Sequence, residues 1–246
     1  MKWVSLARNK PRRNAMQRKR PHPRALVYRG PASSPGCSEA VAELLSSSSW
    51  NFDVHFVGPD ERLQIDDSTL YSAALYAQPG GGDLDGAFTH LRRHVPAIQQ
   101  YVRSGGRYLG FCLGGYLAGR SPGFELFPGD ADQYVALQNS EVQDTKGAVL
   151  EVDWRGKVEE MYFQDGPYFS LDRHYRDYYD AEAEILARYQ NGQIAALKID
   201  YGAGRVAVVG PHPEADESWY RDDGLRPPDR LATDLGFSLI NAVMIR

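Results

Sequence analysis

The chain has 246 residues, of which 42% are hydrophobic and 24% charged, an ordinary globular composition that suits one α/β domain with a sizeable core. Its net charge of −4 hides an asymmetry: residues 1–29 hold ten basic and no acidic residues, while the remainder holds 18 basic and 32 acidic, a charge of −14. That bulk charge argues against nucleic acid as a partner of the folded part. No apolar run approaches the roughly 20 residues of a membrane helix, so no membrane partner is expected.

The basic head, residues 1–23, is predicted to be a disordered arm preceding one domain at 24–246. It is rich in proline and arginine and lacks the apolar core of a secretory signal. An Arg-rich, acid-free head also fits a mitochondrial presequence, although its prolines break any long amphipathic helix. Only two cysteines are present, Cys37 and Cys112, which favours a reducing compartment over a disulfide scaffold. We therefore expect a cytoplasmic protein, with a mitochondrial one as the alternative.

The first half of the domain alternates apolar strands with helices. Strands are predicted at 25–28, 52–57, 73–77 and 107–111, and helices at 38–45 and 86–103, the last with a kink at Pro96. Strands separated by helices imply right-handed crossovers and a parallel sheet. Ligands of such sheets bind at the carboxyl ends of the strands.

After Gly123 the pattern changes to short strands joined by turns. Strands are predicted at 148–154, 158–163, 185–189, 194–201 and 205–209, followed by a last helix over 228–243. We interpret most of these strands as a partly antiparallel extension of the sheet. The glycines at 202 and 204 fit a loose dinucleotide-binding pattern, but they precede a strand and are read as a hairpin turn.

The stretch from Gly110 to Gly119 organises the chain, because a short apolar strand turns there into a helix around one cysteine. Glycines permit the tight turn of a nucleophile elbow, which holds the reactive side chain of Cys112 beside a helix N-terminus. The partial positive charge of that terminus lowers the pKa of a thiol and can bind an oxyanion. The competing interpretation is a buried cysteine in a glycine-rich crossover, and this stretch alone leaves both open.

A cysteine nucleophile needs a base within hydrogen-bond reach and a third group that orients the base. His212 and Glu214, just past a predicted strand end, supply both. The backbone N–H groups of Leu113 and of Gly81 in the Pro79–Gly82 loop are the candidate oxyanion hole.

Three segments in this order, Pro79–Gly82, Gly110–Gly114 and Pro211–Glu214, resemble the class I glutamine amidotransferase superfamily. More narrowly, the chain is similar to the amidotransferase-like N-terminal domain of eukaryotic biotin–protein ligases, which also occurs as a stand-alone protein. The segments that carry this similarity are Tyr28–Pro31, Phe111–Ala118 and Tyr162–Phe169. The resemblance implies a flavodoxin-like sheet, mostly parallel, with helices on both faces, and a Cys112–His212–Glu214 triad.

Two departures from the family pattern limit what the resemblance implies. Tyr116 stands where glutaminases carry the glutamine that helps to hold their substrate, and its larger ring fills or reshapes that pocket. Glutaminase activity is therefore not expected. No ligase catalytic module is expected after the last helix either, so biotinylation is not carried over.

Two functions follow as hypotheses. The first is an amidotransferase-like cysteine hydrolase acting on a small amide or acyl compound, with a protein partner that supplies an acceptor site as a further possibility. The second is a non-catalytic regulatory domain that binds a ligand or partner in the same crevice. No cofactor and no metal are expected, since His90 and His94 have helical spacing but lack a third ligand. The candidate substrate-binding residues are Gly80, Gly82, Tyr116 and Gln164.

Overall fold

The structure is a computed structural model that describes residues 22–174 and 183–245. Its strands are β1 Arg24–Tyr28, β2 Asp53–Val57, β3 Leu75–Gln78, β4 Arg107–Phe111, β5 Gly129–Gln133, β6 Ala148–Trp154, β7 Lys157–Phe163, β8 Pro167–Leu171, β9 Ala183–Tyr189, β10 Ile194–Tyr201 and β11 Gly204–Val209. Its α-helices are α1 Cys37–Ser47, α2 Asp67–Tyr71, α3 Leu84–Leu91, α4 Val95–Arg103, α5 Leu113–Ala118, α6 Glu217–Asp222 and α7 Thr233–Met244.

One sheet runs through the molecule in the strand order β2-β1-β3-β4-β11-β10-β9-β6-β7. The five strands from β2 to β11 are parallel to one another, and the pairings from β11 onward to β7 are antiparallel. Strand β8 pairs with β10 and with β5 off this path. The mixed α/β fold with an antiparallel extension is thus confirmed.

Both faces of the parallel strands are covered, so their residues alternate between two cores rather than between core and solvent. On β1, Ala25 and Val27 belong to the core that includes Leu44 of α1 and Leu239 of α7. Leu26 and Tyr28 point to the opposite core. That second core is completed by residues of α4 and α5, among them Ile98, Val102, Leu113 and Leu117.

Two predicted helices are corrected by the structure. The helix expected over 86–103 is two helices, α3 and α4, separated by a short 3-10 turn at Arg92–His94. Pro96 lies in the first turn of α4, where its missing N–H costs nothing, and its ring prevents one continuous helix from passing through. The last helix begins at Thr233 rather than at 228, after two consecutive prolines.

Four short elements were missed: α2, α6, β5 and β8. The basic arm up to residue 21, and the tyrosines at 175, 178 and 179, lie outside the described residues. None of the helices in the described ranges is long and apolar enough to cross a membrane.

Candidate active site

Cys112 sits at the junction of β4 and α5, at the carboxyl end of a central parallel strand. Its backbone has φ 47 and ψ −105, a left-handed conformation that L side chains rarely adopt. Such strain costs of order 1–3 kcal/mol and persists only where surrounding structure holds it. This is the sharp strand-to-helix turn expected of a nucleophile elbow.

Close backbone contact explains the glycines on either side of Cys112. A methyl group at Gly110 would meet the Gly114 carbonyl oxygen at 2.4 Å. A methyl group at Gly114 would meet the Gln78 carbonyl oxygen at 2.0 Å. The spacing of these glycines is therefore required by helix α5 packing against the ends of β3 and β4.

His212 and Glu214 follow the end of β11, the parallel neighbour of β4. The Nδ1 atom of His212 lies 2.8 Å from Oε1 of Glu214, and both residues are buried. The His212 amide donates to the Tyr162 carbonyl at 2.9 Å, which anchors the backbone of this turn to β7. Since Nδ1 faces the carboxylate, Nε2 is the nitrogen left for another partner.

The surroundings of His212 favour its charged form. Burial alone would lower the pKa of the imidazole, but the charges of Glu214 and Cys112, with hydrogen bonds to both side chains, raise it above its ordinary value. His212 thus lies between the thiol and the carboxylate and is hydrogen-bonded to both, as the base of a nucleophile–base–acid triad is.

Aromatic rings hold the imidazole in place. Trp219 of α6 has its ring centroid 5.1 Å from that of His212, and the Tyr162 ring meets His212 edge-on at 5.8 Å. Tyr162 and Trp219 also pack edge-to-face at 5.5 Å. The ring of His212 therefore has little room to rotate.

The glycine loop Pro79–Gly82, which follows β3, also packs closely against His212 and Cys112. A methyl group at Gly80 would lie 3.0 Å from Cε1 of His212 and 3.7 Å from Cβ of Cys112. The Gly80 carbonyl accepts a hydrogen bond from the Ser34 amide at 3.2 Å. Because the C=O and N–H of a trans peptide point in opposite directions, the Gly81 N–H points away from Ser34.

Gly81 and Leu113, the predicted oxyanion-hole residues, are neighbours. A methyl group at Gly81 would lie 2.5 Å from Cδ2 of Leu113. Leu113 is the first residue of α5, so its N–H has no acceptor inside the helix. The structure thus places the two predicted residues side by side in the lining of one cleft.

A cleft of about 600 Å³ opens over these groups. Of the predicted residues, Cys112, His212, Gly81, Gly82, Leu113, Tyr116 and Gln164 line it, whereas Glu214 lies behind His212 and Gly80 is not in the lining. The cleft is also lined by Asp165, which directly follows Gln164, and by residues that sequence reasoning did not select, among them Ser34, Cys37, Asp83, Asp132 and Trp219.

Two candidate substrate-binding residues make contacts that shape the resting cleft. The Tyr116 hydroxyl donates to the Asp165 carbonyl at 3.1 Å, and burial raises the pKa of this phenol far above its ordinary value. The Cys112 thiol donates to the Gln164 carbonyl at 3.6 Å. Gln164 therefore meets the nucleophile through its backbone, while its side chain is exposed.

Cys37, the second cysteine, has no histidine close to it in the sequence. The structure places it in the same cleft, with its sulfur 3.5 Å from a methyl group built on Gly80. Burial, together with the charges of Glu214 and Cys112, raises the pKa of the Cys37 thiol to about 12. Cys37 therefore remains a neutral thiol at physiological pH, although it lies beside the triad.

His90 and His94 do not form a metal site with other side chains. Among residues 22–174 and 183–245, no group of three or more His, Cys, Asp or Glu side chains could hold a metal ion. His94 instead accepts a hydrogen bond from Nε of Arg93 at 2.9 Å.

Comparison with known sequences relates this chain to one kind of protein. Residues 24–137 match the family model for the N-terminal part of biotin-protein ligase; that region contains Cys112 but neither His212 nor Glu214. A biotin–protein ligase of Schizosaccharomyces pombe is 26% identical over 220 residues, which cover 77% of this chain and 33% of the ligase. The chain thus spans about a third of that relative's length. The predicted similarity to the N-terminal domain of these ligases is confirmed.

Solved structures share the fold at low sequence identity. The GH42 beta-galactosidase Gan42B of G. stearothermophilus superposes with a TM-score of 0.52 at 14% identity, over 92% of this chain and 30% of that one. The exo-beta-1,4-mannosidase Op5Man5 of Opitutaceae bacterium strain TAV5 gives 0.50 at 17% identity, over 90% and 36%. These likenesses concern the arrangement of strands and helices alone.

Proposed function

We propose that this protein is an amidotransferase-like cysteine hydrolase that forms a covalent acyl-enzyme on Cys112. The observation that supports this proposal is the arrangement at one end of the parallel sheet. The strained turn at Cys112 and the His212–Glu214 pair follow the ends of the adjacent parallel strands β4 and β11, and Cys112 and His212 line one cleft. The substrate is a small amide or related acyl compound, since the cleft of about 600 Å³ suits a ligand of that size.

The proposed reaction follows from this arrangement. In the reactive thiolate–imidazolium pair the thiol proton resides on His212, and the sulfur of Cys112 attacks the carbonyl carbon. The amides of Gly81 and Leu113 stabilise the oxyanion, and the imidazolium then protonates the leaving amine, so that a thioester remains. Water or an acceptor amine attacks the thioester with His212 as base, which releases the acyl product and restores the thiol. Glu214 holds the imidazole through its Nδ1 proton throughout.

The finer fold and family assignment are part of this proposal. The parallel strands follow the order β2-β1-β3-β4-β11, which corresponds to the flavodoxin order 2-1-3-4-5 and supports a class I glutamine amidotransferase-like fold. We place the whole domain with the N-terminal domains of biotin–protein ligases. A protein partner that supplies an acceptor, and a cytoplasmic location, complete the proposal.

Glutamine is not the proposed substrate. Tyr116 lies one helical turn beyond Cys112 on α5 and lines the cleft. Its hydroxyl already donates to the Asp165 carbonyl. The position that offers glutaminases an amide hydrogen bond is here filled by a ring.

A ligand-binding domain without catalysis is the second candidate. Two resting contacts favour it: the Cys112 thiol donates to the Gln164 carbonyl, and the Tyr116 ring narrows the cleft. In that case the cleft holds its ligand without a thioester, and the triad is retained only as packing.

Intact-mass spectrometry after treatment with p-nitrophenyl butanoate tests the first proposal. We expect one butanoyl adduct, which peptide mapping assigns to Cys112, with Cys37 unmodified as the internal control. Cys112→Ser should abolish the adduct, and His212→Asn should slow its formation about 100-fold or more, because general-base catalysis contributes about that much. Equal modification of both cysteines, or an unchanged rate in His212→Asn, would contradict the proposal. No adduct together with ligand-induced thermal stabilisation would favour the binding domain.

A further inference from the structure

The cleft carries negative charge on several sides. Asp83, Asp132 and Asp165 line it, and its lining among the described residues includes no lysine and no arginine. Asp83 comes from the glycine-loop side, Asp132 from β5 and Asp165 from the turn after β7. Three separate segments therefore place carboxylates around one opening.

The described parts of the chain form twelve ion pairs between side chains. None of the twelve involves Asp83, Asp132 or Asp165. Their hydrogen-bond partners are neutral groups: the Gly86 amide for Asp83 at 2.6 Å, the Gln133 side-chain amide for Asp165 at 2.7 Å, and the Tyr168 hydroxyl for Asp132. Like charges around a partly enclosed cleft repel one another unless a cation enters. The negative charge is therefore left for a ligand to neutralise.

Two of the carboxylates, Asp132 and Asp165, line the same cleft as the nucleophile Cys112. The charges of Asp165 and Asp132 both act on the Tyr116 hydroxyl, and so does that of Cys112. Asp165 also directly follows Gln164, whose carbonyl accepts from the Cys112 thiol. An acyl group bound to Cys112 would therefore occupy a cleft whose lining includes these carboxylates.

An aromatic side chain in the cleft also favours a cationic ligand. The indole of Trp219 lines the cleft and is partly exposed. A cation over an indole face gains about 0.5–2 kcal/mol, the largest gain among the aromatic side chains. Aromatic rings together with carboxylates are the groups that recognise ammonium and guanidinium ions.

We infer that the acyl substrate of this site carries a positive charge, as an ammonium or guanidinium group on its acyl part, and that carboxylate-bearing acyl compounds are rejected. This inference rests on the proposed function. From residue 30 onward the chain has a formal charge of −14, which also attracts cations towards the cleft.

Charged thiol reagents measure the field at Cys112 independently of catalysis. The reagents are the 2-aminoethyl, methyl and 2-sulfonatoethyl methanethiosulfonates, which carry positive, zero and negative charge. In each reaction the thiolate bonds to the sulfenyl sulfur, and methanesulfinate leaves with the electron pair of the broken bond. We expect the cation-to-anion rate ratio at Cys112 to exceed that of free 2-mercaptoethanol by about tenfold or more. The excess should shrink as salt is added.

Charge-removing variants assign the effect to the cleft. Asp132→Asn and Asp165→Asn should each lower the ratio, and the double variant should bring it within about threefold of the free thiol. Glu151→Gln is the matched control, because it removes one exposed carboxylate from β6, outside the cleft, and should leave the ratio unchanged. A ratio equal to that of the free thiol, or an equal drop in Glu151→Gln, would overturn the inference.

Matched esters separate this inference from the proposed function. The p-nitrophenyl esters of 4-(trimethylammonio)butanoate, butanoate and 4-sulfobutanoate are cationic, neutral and anionic and carry no group that cyclises readily onto the ester, and acylation transfers the acyl group to sulfur and releases p-nitrophenolate. We expect kcat/KM to fall in that order, with at least about tenfold between the first and the last. Equal acylation by all three would overturn the charge preference and leave the cysteine hydrolase standing. Failure of Cys112 to react with any ester would overturn both.

Discussion

Replacing Gly80 with alanine tests how tightly the glycine loop packs against His212. The added methyl would lie 3.0 Å from Cε1 of His212, closer than an ordinary contact, and 3.5 Å from the Cys37 sulfur. The imidazole cannot easily retreat, because it is buried between Tyr162 and Trp219 and bound to Glu214. Relief of the contact must therefore move the base by a few tenths of an ångström.

The expected effect follows from that displacement. Misplacement of a reacting group by about 1 Å costs about 100-fold, so a shift of a few tenths should slow acylation of Cys112 about fivefold. Overpacking of a filled site costs about 1 kcal/mol at the low end of its range, which corresponds to about 2–4 °C in melting temperature for a domain of this size. The acylation rate and the melting temperature of Gly80→Ala can both be measured on one preparation.

Gly82→Ala is the matched control for the backbone part of the effect. Among the described residues, no atom beyond Gly82 and its two chain neighbours lies within 4 Å of a methyl group at Gly82, and neither glycine has the positive φ that would add strain. Any stabilisation through the unfolded chain, about 0.4–1 kcal/mol, should appear in both variants. We expect Gly82→Ala to melt no lower than the wild type and to slow acylation less than Gly80→Ala. Equal rates and melting temperatures in the two variants would refute the close packing of Gly80 on the base.

Two further predictions concern single residues of the site. Glutaminase activity, measured as ammonia release, should be negligible in the wild type, and any gain in Tyr116→Gln should vanish in Tyr116→Gln/Cys112→Ala; robust wild-type activity would contradict the role given to the ring. Burial lowers the pKa of His212, but the charges of Glu214 and Cys112 outweigh it and raise this pKa from 6.5 to about 10. The charged imidazole therefore stabilises the fold below pH 6.5, and that stabilisation is lost as the pH rises towards 10. From pH 7 to 9 the free energy of unfolding should therefore fall more steeply in the wild type than in Glu214→Gln, by up to about 1.4 kcal/mol per pH unit, and parallel curves from urea titrations would refute this.

The parallel half of the fold could be predicted because its residues carry local information. Apolar runs such as Ala25–Tyr28 and Arg205–Val209 are bounded by glycine and proline, and each formed a strand close to its predicted limits. Strand β5, with the sequence Gly129–Gln133, has a single buried alanine among polar residues and forms through its pairing with β8. Nothing in its composition indicates that partner.

The residues of the site divide in the same way, into those that local sequence patterns identify and those that only the tertiary structure positions. Cys112, His212 and Glu214 could be selected because nucleophile, base and acid follow fixed motifs in a fixed order. Trp219 could not, since it is positioned by a helix that begins at the Asp216 cap, where the carboxylate accepts from the Ser218 amide at 2.7 Å. The nearness of Cys37 to Cys112 was missed for another reason. It depends on β3 lying between β1 and β4, a strand order that the flavodoxin-like resemblance implies but that no local pattern around Cys37 indicates.

The proposed catalysis would explain features of the site that ligand binding alone does not require. The left-handed backbone at Cys112 is strained, and the buried His212–Glu214 pair leaves Oε2 of Glu214 without a hydrogen-bond partner among the described residues. A carboxylate buried in that way is costly unless a charged partner offsets it, and the imidazolium is that partner. A binding cleft would be more stable with an apolar pair in these positions. Strain and buried charge meeting at one thiol are accounted for if that thiol must be aimed at a carbonyl and deprotonated, and the carboxylates around the opening then decide which carbonyl compounds reach it.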